Sequence, residues 1–308
     1  MTVTMPLPRA AGNVPWRLRL SRFRRSPSGM ASALGLLALV LFALAAWPLA
    51  QAQGIDPDAT DLLSRYDPPS ARHWLGTDDA GRDELIRLML GGQMSLFIGL
   101  TVTFLSGLIG LSIGLLAGYC GGALDTLLMR LTDGVISLPL LPLLIVLSAL
   151  DLAKLGFSAE FAHSAAAGVW RLVIVMSLVE WTSLARVSRA STLAVKERDF
   201  VRAAWACGGG PLHVLTVHIL PNIAGPVIVT VALTVGRVIL FESVLSFLGF
   251  GIPLSTPSWG NMLTNAQELV TVAPGLAIYP GVLIFLTVVA VNMLGEGVQH
   301  ALDPKADA

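Results

Sequence analysis

The apolar positions of the chain gather into six windows separated by polar connections: residues 30–50, 94–118, 135–150, 165–184, 223–245 and 274–294. A hydrocarbon core about 30 Å thick takes roughly 20 apolar helical residues to cross, so the pattern predicts an all-α membrane protein with six transmembrane helices. The first two windows carry no charge, although glycines at 99, 107, 110, 114 and 118 thin the side-chain volume of the second. The third is short and holds Pro139 and Pro142, which predicts a kinked or tilted helix. The fourth contains Arg171 and Glu180, the fifth contains Arg237 and Glu242, and the sixth is charge-free.

Composition strengthens this picture. The 308 residues are 54% hydrophobic and only 13% charged, which does not describe a soluble surface. Twenty Lys/Arg balance twenty Asp/Glu, and a zero net charge excludes nucleic acid as a bulk electrostatic partner. No phosphate-binding loop of the form G-x-x-x-x-G-K-[ST] occurs, so the chain cannot hydrolyse ATP by that route. Cys120 and Cys207 are far apart, with no CxxC and no His at ligand spacing, so neither a metal site nor a disulfide framework is expected.

The charges are distributed unevenly among the connections. Odd-numbered connections, counted from the N-terminal segment, hold thirteen Lys/Arg (among them Arg9, Arg17, Arg19, Arg130 and Lys305), against five in the even-numbered ones. The excess places both termini in the cytoplasm, with the acidic loop 51–93 outside. Arg-rich residues before the first window also suit a signal peptide, with Ala50-Gln51-Ala52 as a cleavage pattern, but the apolar run exceeds the usual length. Residues 1–29 are therefore expected to form a cytoplasmic arm whose basic segment lies at the lipid interface.

The connection 185–222 carries the strongest functional pattern. Charged and apolar residues recur at helical spacing until Gly208-Gly209-Gly210-Pro211 ends a first helix, and a second short helix is expected beyond it. Ala203 and Ala204 leave little bulk, so another surface could approach closely; the alternative is a basic connection resting on anionic lipid.

This segment resembles a known family. Arg202-Ala203-Ala204, Gly208, His218 and Leu220-Pro221-Asn222 are similar to the E-A-A-x3-G-x9-I-x-L-P loop of membrane subunits of binding-protein-dependent ABC importers. Leu75-Gly76-Thr77-Asp78 with Gly81-Arg82-Asp83, Leu245-Ser246-Phe247-Leu248-Gly249, Pro257-Ser258-Trp259-Gly260-Asn261-Met262 and Ala301-Leu302-Asp303-Pro304 resemble the C-type permeases of its dipeptide, oligopeptide and nickel branch. The resemblance implies a type I importer transmembrane domain over residues 94–296, with a transmembrane helix at 30–50, an extracytoplasmic loop at 51–93 and a cytoplasmic tail at 297–308. It further implies a bacterial inner-membrane location, a heterodimer with a related permease, two cytoplasmic ATPases and an extracytoplasmic solute-binding protein. No cofactor belongs to the chain itself, since ATP is bound by the partners. Transport of peptides, or of a nickel chelate, glutathione or haem, is the implied activity.

The resemblance also implies a coupling role, through ATPase docking, for Arg202, Ala203, Ala204, Gly208, Leu220 and Pro221. Two positions depart from the pattern. Arg202 replaces the family's Glu, so it either meets an acidic partner surface or faces solvent. Gln93 stands where an Arg commonly opens the second span.

Ionisable groups in hydrocarbon cost about 2.5–3.5 kcal/mol or more and therefore face partners or wet cavities. The depths of Arg171, Glu180, Arg237 and Glu242 suggest pairing of Arg171 with Glu242 and of Glu180 with Arg237, or lining of a translocation path. Trp259 and Asn261 are candidates for contact with a binding protein, or for an interfacial anchor and turn. Catalytic residues are not expected, because no H-E-x-x-H, no G-x-S-x-G and no cluster of His, Asp or Cys at one membrane depth is present. A stand-alone secondary transporter would suit six spans, but would leave the 202–221 segment without a partner.

Overall fold

The computed structural model describes residues 16–149, 164–264 and 266–302, together with 154, 156, 158 and 160. Residues 1–15, the end of the third window at Leu150, and Asp303, Pro304 and Lys305 lie outside the described residues. The elements in chain order are α1 (Trp16–Arg25), α2 (Pro27–Leu44), α3 (Ala46–Gln53), α4 (Glu84–Cys120), α5 (Gly122–Ser137), α6 (Leu140–Ser148), α7 (Ala165–Lys196), α8 (Asp199–Ala206), α9 (Pro211–Phe247), α10 (Ala266–Val272) and α11 (Pro274–Leu302). Five helices are long and apolar enough to cross a membrane, six if α5 and α6 together form one span. The all-α reading of the apolar windows holds among the described residues.

Several helices outrun their windows. At about 1.5 Å per residue, the 37 residues of α4 extend about 55 Å, well beyond a hydrocarbon core of about 30 Å. Apolar runs report only the lipid-embedded part, whereas hydrogen bonding carries the helix on through its polar ends. The stretch Glu84–Leu90 is accordingly the first part of α4, capped by Asp83, whose Oδ1 accepts from the Ile86 N–H at 2.8 Å.

Prolines decide where other windows break. Pro48 cannot donate to the Leu44 carbonyl, and the first window bends at Ala45 into α2 and α3. Leu138, preceding Pro139, is extended, and α5 and α6 meet at 86°. The expected kink is thus a full break. Alone, the nine residues of α6 reach only about 14 Å.

The interior is organised around α7, whose apolar window is 67% buried, the most enclosed of the five spans. Its most extensive contact is with α4, which runs parallel to it. Gly110, Gly114 and Gly118 form a smooth strip there. A Cβ on Gly114 would lie 2.4 Å from the Ala185 carbonyl oxygen, and one on Gly118 would lie 2.7 Å from Thr192 Cβ. Small residues four apart let the two backbones touch, which is the main source of association where water drives nothing. A second close approach, between Gly29 and Gly297, sets the elbow of α1 and α2 against α11, with the Phe23 ring beside it.

The connection between α3 and α4 is a wound loop built on the residues Thr77 to Asp83. Asp78 Oδ1 accepts from the Ala80 and Arg82 N–H groups at 2.8 and 2.9 Å, and its Oδ2 meets Arg82 Nε and Arg87 Nε at 2.8 and 3.1 Å. Thr77 donates to the Ser64 carbonyl and accepts from the Asp67 N–H, while His73 Nδ1 lies 2.9 Å from Asp83 Oδ2. These bonds show why the residues of the L-G-T-D-x-x-G-R-D pattern occur together: each satisfies another.

Candidate functional site

Helix α8 begins after α7 ends at Lys196, whose Nζ donates to the Gly118 and Tyr119 carbonyls at 3.1 and 3.2 Å. A cation at the C-terminus of α4 satisfies carbonyls that have no helical partner. Asp199 stands in the first turn of α8, where negative charge is favourable. One face of α8 is anchored: Val201 is buried with Leu115, Val214, Ile219 and Ile223, and half-buried Ala204 packs on the same cluster. Trp205 stacks on Tyr119, the ring centroids 6.4 Å apart. The other face carries exposed Phe200, Arg202 and Ala203.

The two alanines that the sequence treats alike are therefore different. Ala204 faces inward, and Ala203 faces outward beside Arg202. Arg202 Nη2 lies 3.0 Å from Glu197 Oε2, and with both side chains 66% exposed the pair contributes little stability. Gly208 ends the helix at φ +83°, a conformation that side-chain-bearing residues rarely adopt; its N–H donates to the Trp205 carbonyl and that of Gly209 to the Ala204 carbonyl.

The expected second short helix is not separate. From Pro211 the chain passes through a π-helical stretch, Val214–Ile219, directly into α9, with Leu220 half-buried and Pro221 exposed. Pro221 lacks the N–H that would continue regular bonding, and wide turns of this kind recur at functional sites. His218 stacks edge-on against His213, and its carbonyl accepts from Asn222 Nδ2 at 2.7 Å. Helix α8 is thus anchored on one face and exposed on the other. Phe200 is the member of this face that the family pattern does not mark; its signal was an aromatic at a position off the buried stripe.

Within the spans, Glu180 and Arg237 are brought together. Arg237 Nη1 lies 3.6 Å from Glu180 Oε2 and 3.2 Å from Ser183 Oγ. The pairing expected for Arg171 and Glu242 is replaced by another arrangement. Glu242 is fully buried; its Oε1 accepts from Ser246 and Ser258 at 2.8 and 2.9 Å, and its Oε2 accepts from Ser95 at 3.2 Å. Three hydroxyls on α4, α9 and the loop after α9 thus converge on one carboxyl group, and spacing within single windows could not reveal a partner from a loop. Arg171 sits half-buried in the N-terminal part of α7.

Trp259 and Asn261 are not available to a binding protein. Trp259 is 0% exposed, its Nε1 donates to the Leu88 carbonyl at 2.8 Å and its N–H donates to Ser95 Oγ. Asn261 is buried; its Oδ1 accepts from the Ser258 N–H and its Nδ2 donates to the Thr256 carbonyl at 2.6 Å. Trp259 fastens the loop after α9 onto α4, and Asn261 braces that loop against its own backbone. Gln93 is likewise a tie, donating from Nε2 to the Ala43 carbonyl at 2.7 Å and so joining α4 to α2.

Replacing Glu242 by leucine leaves these serine hydroxyls without their acceptor. The expected loss is about 3 kcal/mol, read as a lower thermal midpoint of the purified chain in detergent, whereas Glu242→Gln should recover most of it. An unchanged midpoint for Glu242→Leu would contradict the arrangement.

Beside the loop that precedes α4, a cavity of about 260 Å³ is lined by charged groups including Arg65, Asp78, Arg82, Glu84, Arg87 and Glu268. Among the described residues no three His, Cys, Asp or Glu side chains are grouped to hold a metal ion.

A family model described as "Binding-protein-dependent transport system inner membrane component" matches residues 110–308, and one described as "N-terminal TM domain of oligopeptide transport permease C" matches residues 15–69. The chain belongs to the binding-protein-dependent permease family. This permease is 34% identical to the oligopeptide transport system permease protein OppC of Bacillus subtilis (strain 168), over 94% of this chain and 90% of the relative. It is also 34% identical to the glutathione transport system permease protein GsiD of Pectobacterium atrosepticum, over 99% and 96% of the two chains. With the probable D,D-dipeptide transport system permease protein DdpC of Escherichia coli (strain K12) the identity is 36%, over 82% and 80%. Membership makes the chain a multi-pass inner-membrane component of an ABC transport system, a class that works with a partner permease, an ATPase and a binding protein.

Proposed function

We propose that this permease moves peptides into the cytoplasm by alternating access, driven by two ATPase subunits that hydrolyse ATP on separate chains. The geometry of α8 carries the reading: a short helix fixed to the bundle through Val201, Ala204 and Trp205, with Arg202 and Ala203 turned outward. Closure of the ATPases pushes α8, and because Val201 packs against Ile219 and Ile223 the movement passes into α9. In this reading both termini and the 186–222 segment are cytoplasmic, residues 51–93 are extracytoplasmic and residues 94–296 form the transporting domain. Gly208, Leu220 and Pro221 shape the return of the chain from α8 to α9.

The peptide assignment is supported by the names of the oligopeptide and D,D-dipeptide relatives. Glutathione, itself a tripeptide, is the second reading, favoured by the relative that aligns over 99% of this chain. Affinity purification of the chain in mild detergent, with mass spectrometry of what accompanies it, tests the assignment. A second permease, an ATPase and a binding protein are expected. Recovery of this chain alone, with uptake indifferent to loss of any ATPase, would instead indicate a self-sufficient transporter.

A further inference from the structure

The unpacked stripe of α9 is apolar at Leu233, Leu240 and Val244, and Arg237 lies on the same stripe, four residues after Leu233 and three before Leu240. Its side chain is 41% exposed, whereas that of Glu180 beside it is 3% exposed. Both contacts of the guanidinium, to Glu180 and to Ser183, use Nη1; among the described residues Nη2 and Nε donate no hydrogen bond. Hydrocarbon offers no acceptor, so a half-exposed guanidinium well inside a span faces either water or a polar partner. The planar fork of an arginine matches a carboxylate through two parallel hydrogen bonds.

We propose that Arg237 binds a carboxylate of the transported solute as it passes, with Glu180 and Ser183 acting as positioning residues that hold the guanidinium from behind. This inference rests on the peptide reading above and narrows it to solutes with a free carboxyl terminus. Leu233 and Leu240, half-exposed on either side, flank such a solute with apolar surface. Buried Glu180 offsets part of the positive charge, which keeps the contact brief; a path must bind well enough to admit its cargo and weakly enough to release it.

The test uses the whole complex in proteoliposomes, with trialanine and trialanine amide as probes. Uptake is expressed per binding protein loaded with each probe, so that selection by the binding protein is removed from the comparison. The wild type should pass the acid about tenfold faster than the amide, the worth of one charge-assisted contact. Arg237→Gln should bring the two rates together, and Arg237→Lys should restore part of the preference. An acid-to-amide ratio unchanged by Arg237→Gln would overturn the proposal. So would loss of the second permease on purification of that variant, since Arg237 would then belong to the subunit interface. Wild-type vesicles that take up neither trialanine nor glutathione would overturn the peptide reading itself, and this inference with it.

Discussion

Replacing Ala203 by tryptophan should reduce ATP-driven uptake by more than about tenfold while leaving the permease folded. Ala203 is exposed on the outward face of α8, and the residues that anchor this helix, Val201 and Ala204, lie on the other side. Among the described residues the added bulk therefore points away from the bundle, and surface substitutions of this kind change stability by only about 0.5 kcal/mol. It does meet any protein that approaches α8 closely. Uptake by vesicles and the thermal midpoint of the purified chain are the two readouts, and full uptake by the variant would show that α8 docks on nothing. Arg202→Glu is the companion variant. Its pair with Glu197 is exposed, so stability should hardly change, whereas retention of the ATPase through purification should rise or fall according to the charge of the opposing surface.

The second large effect lies in the bundle. Gly114→Leu should abolish the folded state, because even a Cβ at this position would stand 2.4 Å from the Ala185 carbonyl oxygen and 2.6 Å from Ser188 Cβ. The obstacles are the backbone and a Cβ of α7, which cannot rotate away, so α4 and α7 must separate along their most extensive contact. Large overpacked side chains cost about 1–3 kcal/mol even where neighbours can adjust, and here they cannot. Gel filtration in detergent after membrane extraction reads the result: aggregate or degraded chain is expected. Gly134→Leu, at a position where a Cβ would meet nothing within 4 Å among the described residues, should behave like the wild type. A monodisperse Gly114→Leu protein would contradict the parallel packing of the two helices.

The spans were legible because they depend on composition alone: lipid has no polar partners, and only a long apolar helix satisfies it. The helix ends were not, since α4 and α9 continue through polar residues that no hydropathy window counts. The break at Pro139 could be seen as a kink, but its 86° angle depends on what α6 packs against.

At the candidate site, the 202–208 segment was legible from small residues followed by glycines. The opposite facings of Ala203 and Ala204 were not, because Val201 sets them by packing on residues from α4 and α9. The pairing of Glu180 with Arg237 followed from matching depths, and the failure of that logic for Glu242 has a plain cause. Depth matching considers only charges, whereas Glu242 is satisfied by serines at positions 95, 246 and 258, two of them distant in sequence. Trp259 and Asn261 left two readings open, contact with a binding protein or an anchor and turn, because sequence does not show that the loop folds back against α4 through Trp259 and closes on itself through Asn261.

The central claim is that transport through this chain is powered by ATPases acting on α8. The most direct measurement is uptake of radiolabelled trialanine into proteoliposomes holding the complete complex, compared with vesicles in which the co-purifying ATPase carries an inactivated catalytic base. Uptake that requires ATP and disappears with the inactive ATPase is the predicted result. Uptake that continues undiminished, or that follows a proton or sodium gradient, would contradict it.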